Sequence, residues 1–143
     1  MTPVMSAAEL TAFMLRAFPQ AAADFVVERL TADGIVMRLR VAERHLRPGG
    51  TVSGPSIFGL ADVAVYLAIL ARIGPVALAV TTNGTVDFLR KPAAGVDLLA
   101  TARILKLGRS LAVGDVLIRS EGMEAPVARS SMTYAIPPRR EVM

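Results

Sequence analysis

The sequence predicts an α+β fold in which an antiparallel sheet wraps a central apolar helix at about residues 55–73, with a short helix near the N-terminus. Two observations carry this expectation. The run from Ser56 to Ile73 is apolar on every face, broken only by Gly59, Asp62, Tyr66 and Arg72, so it needs protein around its whole circumference. The segments on either side have strand length and strand patterning, and they follow one another through short turns, which favours antiparallel neighbours. A lone apolar helix among such strands is buried by a concave sheet. At 143 residues the chain fits one domain, 1–143, with its core at about 25–136.

In chain order, Ser6 to Phe18 places Leu10, Phe13, Met14, Ala17 and Phe18 at three- and four-residue spacings, and Pro19 is expected to close that helix. Asp24 to Leu30 and Gly34 to Ala42 read as a hairpin about the Thr31-Ala32-Asp33-Gly34 turn. Ile35, Met37, Leu39 and Val41 alternate with Arg38 and Arg40, so one face should be wet. Arg44 to Pro55 holds Pro48, Gly49, Gly50, Gly54 and Pro55 and must be a shaped loop. The apolar helix follows, ended by Gly74-Pro75. A membrane-spanning reading of it is disfavoured by its marginal length, the central Asp62 and the strands on both sides. Four strands are then expected, Val76 to Leu89, Val96 to Leu107, Ser110 to Ser120 and Pro126 to Ile136, with Pro137-Pro138-Arg139-Arg140 as a mobile tail.

Composition narrows the chemistry. The chain has no cysteine and one histidine, His45, which removes thiol nucleophiles and argues against a metal centre. A net charge of +4 suits an anionic ligand but is low for a nucleic-acid binder, and two tyrosines and five phenylalanines offer little base stacking. The 53% hydrophobic content exceeds what one small core consumes and suggests a homo-oligomer. Met1 to Phe18 has no secretory pattern, so a cytoplasmic location is expected.

Asp62 is the main catalytic candidate, because a carboxylate on an apolar helix has lost water without a charged neighbour along that helix. A buried carboxylate satisfied by backbone amides or a partner-chain donor is the structural alternative. Beside it, a loop of Gly49, Gly50 and Gly54 runs into the helix start and leaves backbone N–H groups unpaired. The Gly54 N–H is the candidate oxyanion donor. Pro55 has no N–H but fits a first helical turn, and Ser53 is a natural cap.

The segment Pro48-Gly49-Gly50-Thr51-Val52-Ser53-Gly54-Pro55-Ser56-Ile57-Phe58-Gly59-Leu60-Ala61-Asp62 resembles the signature of hotdog-fold thioesterases of the phenylacetate-degradation type. Its closing Leu-Ala-Asp is the clearest match. Members commonly show Asn-x-x-Gly-x-x-His-Gly-Gly before that triplet; the corresponding residues here are Arg47, Gly50, Ser53, Gly54 and Pro55. Asp87-Phe88-Leu89-Arg90-Lys91-Pro92 and Leu107-Gly108-Arg109 are similar later blocks. The likeness implies a hotdog fold, an acyl-CoA thioesterase, Asp62 as the acidic catalytic residue and Gly54 as the amide that polarises the thioester carbonyl. It also implies sites at the interface of paired subunits, in a dimer or a tetramer of dimers. Ser53 and Arg47 stand where the family has histidine and asparagine, which alters how water or the leaving thiol would be ordered.

The expected substrate is a small aromatic or short- to medium-chain acyl-CoA, with no separate cofactor and no metal. Ser53, Pro55, Tyr66 and Asn83 are candidates for the acyl and thioester end. Tyr66 lies one helical turn beyond Asp62, and Asn83 follows Thr81 and Thr82 on a strand expected beside the helix. Arg90, Lys91, Gly108, Arg109 and Ser110 sit at strand ends where guanidinium, ammonium and turn amides meet phosphates, and are the CoA candidates. His45 reads as an ordinary surface residue. A non-catalytic acyl-CoA or lipid-binding module is the alternative function, and a hydratase or dehydratase is a further one, disfavoured because His45 lies outside the helix.

Overall fold

The structure, a computed structural model, describes residues 2–138; Arg139 and Arg140 of the expected mobile tail lie outside them. Ser6 opens α1 (Ala7–Ala17) with a reciprocal cap: its hydroxyl accepts from the Glu9 N–H at 3.1 Å, and Glu9 accepts from the Ser6 N–H at 2.9 Å. Leu10, Phe13 and Met14 form its buried stripe, as their spacing predicts. α1 closes at Ala17 with Phe18 as its cap, ahead of Pro19 as expected, and Pro19 then starts a further turn, α2 (Pro19–Ala22), because the fixed φ of proline suits a first helical position.

β1 (Phe25–Leu30) and β2 (Gly34–Leu39) form the expected hairpin, with β2 ending at Leu39 rather than Ala42. Its expected wet face is absent on β2. That strand is flanked by β4 on its other side, and only Arg38 escapes full burial, held by Glu28, Asp97 and Glu121 at 2.9–3.2 Å. A 3-10 turn (Glu43–His45) and the glycine loop lead into α3 (Gly54–Ile73). Ser53 caps α3 by accepting from the Ser56 N–H at 3.3 Å, and Gly74 ends it at φ 99°, a conformation that side chains with a Cβ rarely adopt.

From Val63 to Arg72 every residue of α3 is buried. The helix is long and apolar enough to cross a membrane, but 72% of its most apolar window is covered by protein, so the sheet supplies its apolar surroundings. Burial of Leu60, Leu67 and Leu70, each fully enclosed, contributes roughly 1.5–3 kcal/mol apiece. Arg72 is the exception in kind. Its buried guanidinium donates to the carbonyls of Thr31 and Gly34 at 2.7 and 2.9 Å, pinning the end of α3 to the β1–β2 turn, and burial lowers its pKa.

The remaining strands are β3 (Val80–Phe88), β4 (Leu98–Leu107), β5 (Leu111–Ser120) and β6 (Pro126–Ala135), giving one antiparallel sheet in the order β1-β2-β4-β5-β6-β3. β3 starts later than the expected Val76 because the preceding residues turn tightly: the Val76 N–H donates to Gly74 O and the Ala79 N–H to Val76 O. Small residues on the concave face let the helix approach. Ala100 and Ala102 of β4, Ala112 and Gly114 of β5 and Ala128 of β6 are buried there, and a Cβ on Gly114 would lie 3.1 Å from the Val65 side chain. β1 and β3 are the two edges, and β3 carries exposed Val80 and Phe88.

Candidate active site

Asp62 sits on the face of α3 turned toward β3 and β6, half-buried. Thr81 of β3 and Tyr134 of β6 are directly opposite each other across the sheet, so both side chains point at the helix from adjacent strands. The Thr81 hydroxyl donates to Asp62 Oδ1 at 2.6 Å, and the Tyr134 hydroxyl donates to the same oxygen at 2.7 Å. Tyr134 also lies 3.0 Å from the Asp62 backbone carbonyl. Among the described residues nothing donates to Oδ2, which leaves one carboxylate oxygen tied and one free.

This carboxylate opens into a cavity of about 350 Å³ walled by Val63, Tyr66, Leu78 and Val80 together with Phe18 and Gln20 from the N-terminal helices. Tyr66 does not bond Asp62. Its hydroxyl donates to the Ala77 carbonyl at 2.8 Å, which holds the turn before β3, and its ring stacks on Tyr134 at 5.9 Å between centroids. Burial pushes the Tyr66 phenol up to about 12. For Tyr134 burial is again the main cause, reinforced by the charge of Asp62, and the phenol is held well above the ordinary tyrosine range. Both tyrosines are therefore hydroxyl donors at any physiological pH.

Gly54 lies elsewhere. It lies eight positions before Asp62, about 12 Å along the helix axis, and it faces a different cavity of about 420 Å³ with Arg47, Phe88, Arg90 and Lys91. Its N–H has no acceptor among the described residues, as an oxyanion donor requires. Arg47, Arg90 and Lys91 have no carboxylate partner among the described residues, so this cavity is ringed by unpaired positive charge. Gly108, Arg109 and Ser110 line a third cavity of about 500 Å³ with Ile73, Val76 and Ile136 at the far end of α3. One chain thus separates the oxyanion candidate from the carboxylate and divides the CoA candidates between two places.

Ser53 caps α3 and hydrogen-bonds Ser56 at 3.1 Å, while Pro55 is exposed on the first turn. Asn83 stands on the exposed edge of β3; of the three polar residues there, it is Thr81 that meets Asp62. The bulge between Thr81 and Asn83 breaks the simple alternation that would have indicated this from sequence. Tyr134 carried no local signal, being one residue of a strand of mixed apolar and polar composition. His45 corrects the surface reading. It is 7% exposed, its Nδ1 accepts from the Ala42 N–H at 2.9 Å, its Nε2 is 3.2 Å from Asp24, and its carbonyl accepts from Ser53 N–H at 2.8 Å. It braces the loop that delivers Gly54.

The family model of the thioesterase superfamily matches residues 49–127, more than half of the chain. A crystal structure from Silicibacter sp. TM1040, provisionally named a thioesterase, is 61% identical with a TM-score of 0.91 and covers 96% of each chain. The Escherichia coli PaaI protein, from the phenylacetic acid degradation operon, is 26% identical with a TM-score of 0.78, over 92% of this chain and 94% of that one. A Pseudomonas aeruginosa protein provisionally named an esterase is 31% identical over 72% of this chain and 75% of its own length. The six-stranded sheet wrapped around α3 is the hotdog fold of these proteins.

Proposed function

The chain belongs to the thioesterase superfamily, and from that premise we propose that it is an acyl-CoA thioesterase, hydrolysing a small aromatic or short- to medium-chain acyl-CoA to the free acid and CoA. The observation that carries the reading is the Asp62 carboxylate, fixed through Oδ1, with no donor to Oδ2 among the described residues, in the wall of a cavity of mixed apolar and polar lining. Oδ2 either adds to the thioester carbon or takes a proton from the water that does. In both routes the carbonyl oxygen gains negative charge and the C–S bond breaks; in the first, CoA leaves as thiolate and water then cleaves the mixed anhydride to the free acid and the Asp62 carboxylate, and in the second, the proton that Asp62 took from water passes to the leaving sulfur. A thioester is reactive enough that one carboxylate and one aligned amide donor suffice without a serine triad.

The separation of Gly54 from Asp62 supports a site completed by a second copy of the chain. The two groups must both lie about 3 Å from one reacting carbonyl, which a 12 Å helical rise forbids within one subunit (about 1.5 Å per residue). Pairing of β3 edges across a two-fold axis covers Val80 and Phe88 and brings the Gly54 cavity of one subunit toward Asp62 of the other. Arg47, Arg90 and Lys91 beside Gly54, and the Gly108-Arg109-Ser110 turn, then serve the phosphates of CoA.

The test is free-thiol release from a panel of aromatic and aliphatic acyl-CoAs, comparing the wild type with Asp62→Asn. The wild type is expected to turn over at least one of them, with kcat lower by on the order of 10²–10⁴ in the variant while its fold is kept. Binding of acyl-CoA without turnover by the wild type would instead indicate a binding module.

A further inference from the structure

Tyr134 lies outside the 49–127 segment that defines the family match, yet it makes one of the two hydrogen bonds to the Asp62 side chain. We propose that Tyr134 is the positioning residue of the site: with Thr81 it locks Asp62 Oδ1, so that Oδ2 alone is presented to the thioester. This rests on the thioesterase reading for its kinetic consequence but on the contact geometry for its substance.

Three features single out Tyr134. Its hydroxyl is shared between Oδ1 and the backbone carbonyl of the same residue, at 2.7 and 3.0 Å, so it fixes the carboxylate relative to the helix that carries it. Its ring is 3% exposed and stacked on Tyr66, whose own hydroxyl is anchored on Ala77, so the donor has little freedom to swing away. It pairs across the sheet with Thr81, so both donors move with the same two strands. Two donors on one oxygen leave the carboxylate a single rotamer. Without the tyrosine, Thr81 alone permits the group to rotate, and either oxygen can face the cavity at the wrong angle. Tyr134 itself lines the cavity, but loss of its hydroxyl alone leaves the ring in that wall, so mispositioning of the carboxylate costs rate rather than substrate binding.

The experiment uses Tyr134→Phe, which keeps the ring and its stacking and removes only the hydroxyl. Its kcat for the best acyl-CoA is expected to fall by on the order of 10–100-fold with KM within about twofold of the wild type. Thr81→Val, which removes the other hydroxyl, is expected to fall likewise, and Thr81→Ser, which restores one, to recover rate relative to Thr81→Val. A crystal structure of Tyr134→Phe should show the Asp62 carboxylate rotated or in two orientations. A carboxylate unmoved in that structure overturns the proposal, as does a kcat within twofold of the wild type. If the wild type hydrolyses no acyl-CoA, the thioesterase reading fails, and the positioning role is then decided by the crystal structure alone.

Discussion

Single residues in this chain act through the partners that the fold gives them. Asp24 shows this away from the active site. Burial alone would raise its pKa, but hydrogen bonds from Arg44 and His45 outweigh that and hold the carboxyl below the ordinary aspartate range. A group whose pKa is depressed on folding stabilises the fold fully above its unfolded value and loses that contribution as pH falls through its folded one. The wild type is therefore expected to lose thermal stability progressively below about pH 4, and Asp24→Asn to be less stable at neutral pH but with a shallower acid slope. Melting curves across that range check this; parallel slopes would show that the pair contributes nothing. The same bracing reaches the site, since the His45 carbonyl holds the Ser53 N–H one residue before Gly54.

Elements outside the matched segment wall the candidate site. α1 and α2 precede residue 49, yet Ala17, Phe18 and Gln20 form one wall of the Asp62 cavity. Under the proposed function, the N-terminal helices bear on acyl selectivity, while α3 and the sheet carry the chemistry. Phe18→Ala is expected to open that wall and shift preference toward longer acyl chains, raising kcat/KM for them relative to short ones by roughly 10-fold, the discrimination that one or two methylenes supply. Thiol-release rates over an acyl-length series read this directly, and an unchanged profile would remove Phe18 from the specificity wall. Phe13 and Tyr66, with ring centroids 6.2 Å apart, link α1 to the same helix that carries Asp62, so the wall is packed rather than loose.

For the whole molecule, the proposed division of the site between subunits predicts complementation. Gly54→Pro removes the amide N–H while keeping a first-turn conformation, and Ser53, at φ −73° and ψ 156°, is already in the extended region that precedes proline. Alone it is expected to lose about 10²–10³ in kcat, the usual cost of one oxyanion donor. Mixed with Asp62→Asn under conditions that exchange subunits, two nearly inactive proteins should regain about a quarter of the wild-type activity, since half the dimers are mixed and each has one intact site. Activity that stays at the sum of the separate variants would mean that both groups serve the site from the same chain.

The central helix, its cap and end, the strand order along the chain and the place of Asp62 on the helix were legible in the sequence, because each follows from local patterning: apolar residues on all faces, Ser53 before a first-turn proline, Gly74-Pro75, and one carboxylate in an apolar run. The resemblance of Pro48 to Asp62 to a family signature pointed to the same loop and helix. Strand pairing was not legible. That β6 rather than β4 lies beside β3, and that Thr81 and Tyr134 therefore meet over Asp62, depends on contacts between residues more than fifty positions apart. Nor did the sequence disclose that His45 is buried against Asp24, or that Gly54 and Asp62 face different cavities. Local pattern determines which segments are helix or strand and which residues are chemically out of place; only tertiary structure decides which of those residues share a space, because hydrogen-bond partners and cavity walls are set by packing between distant segments.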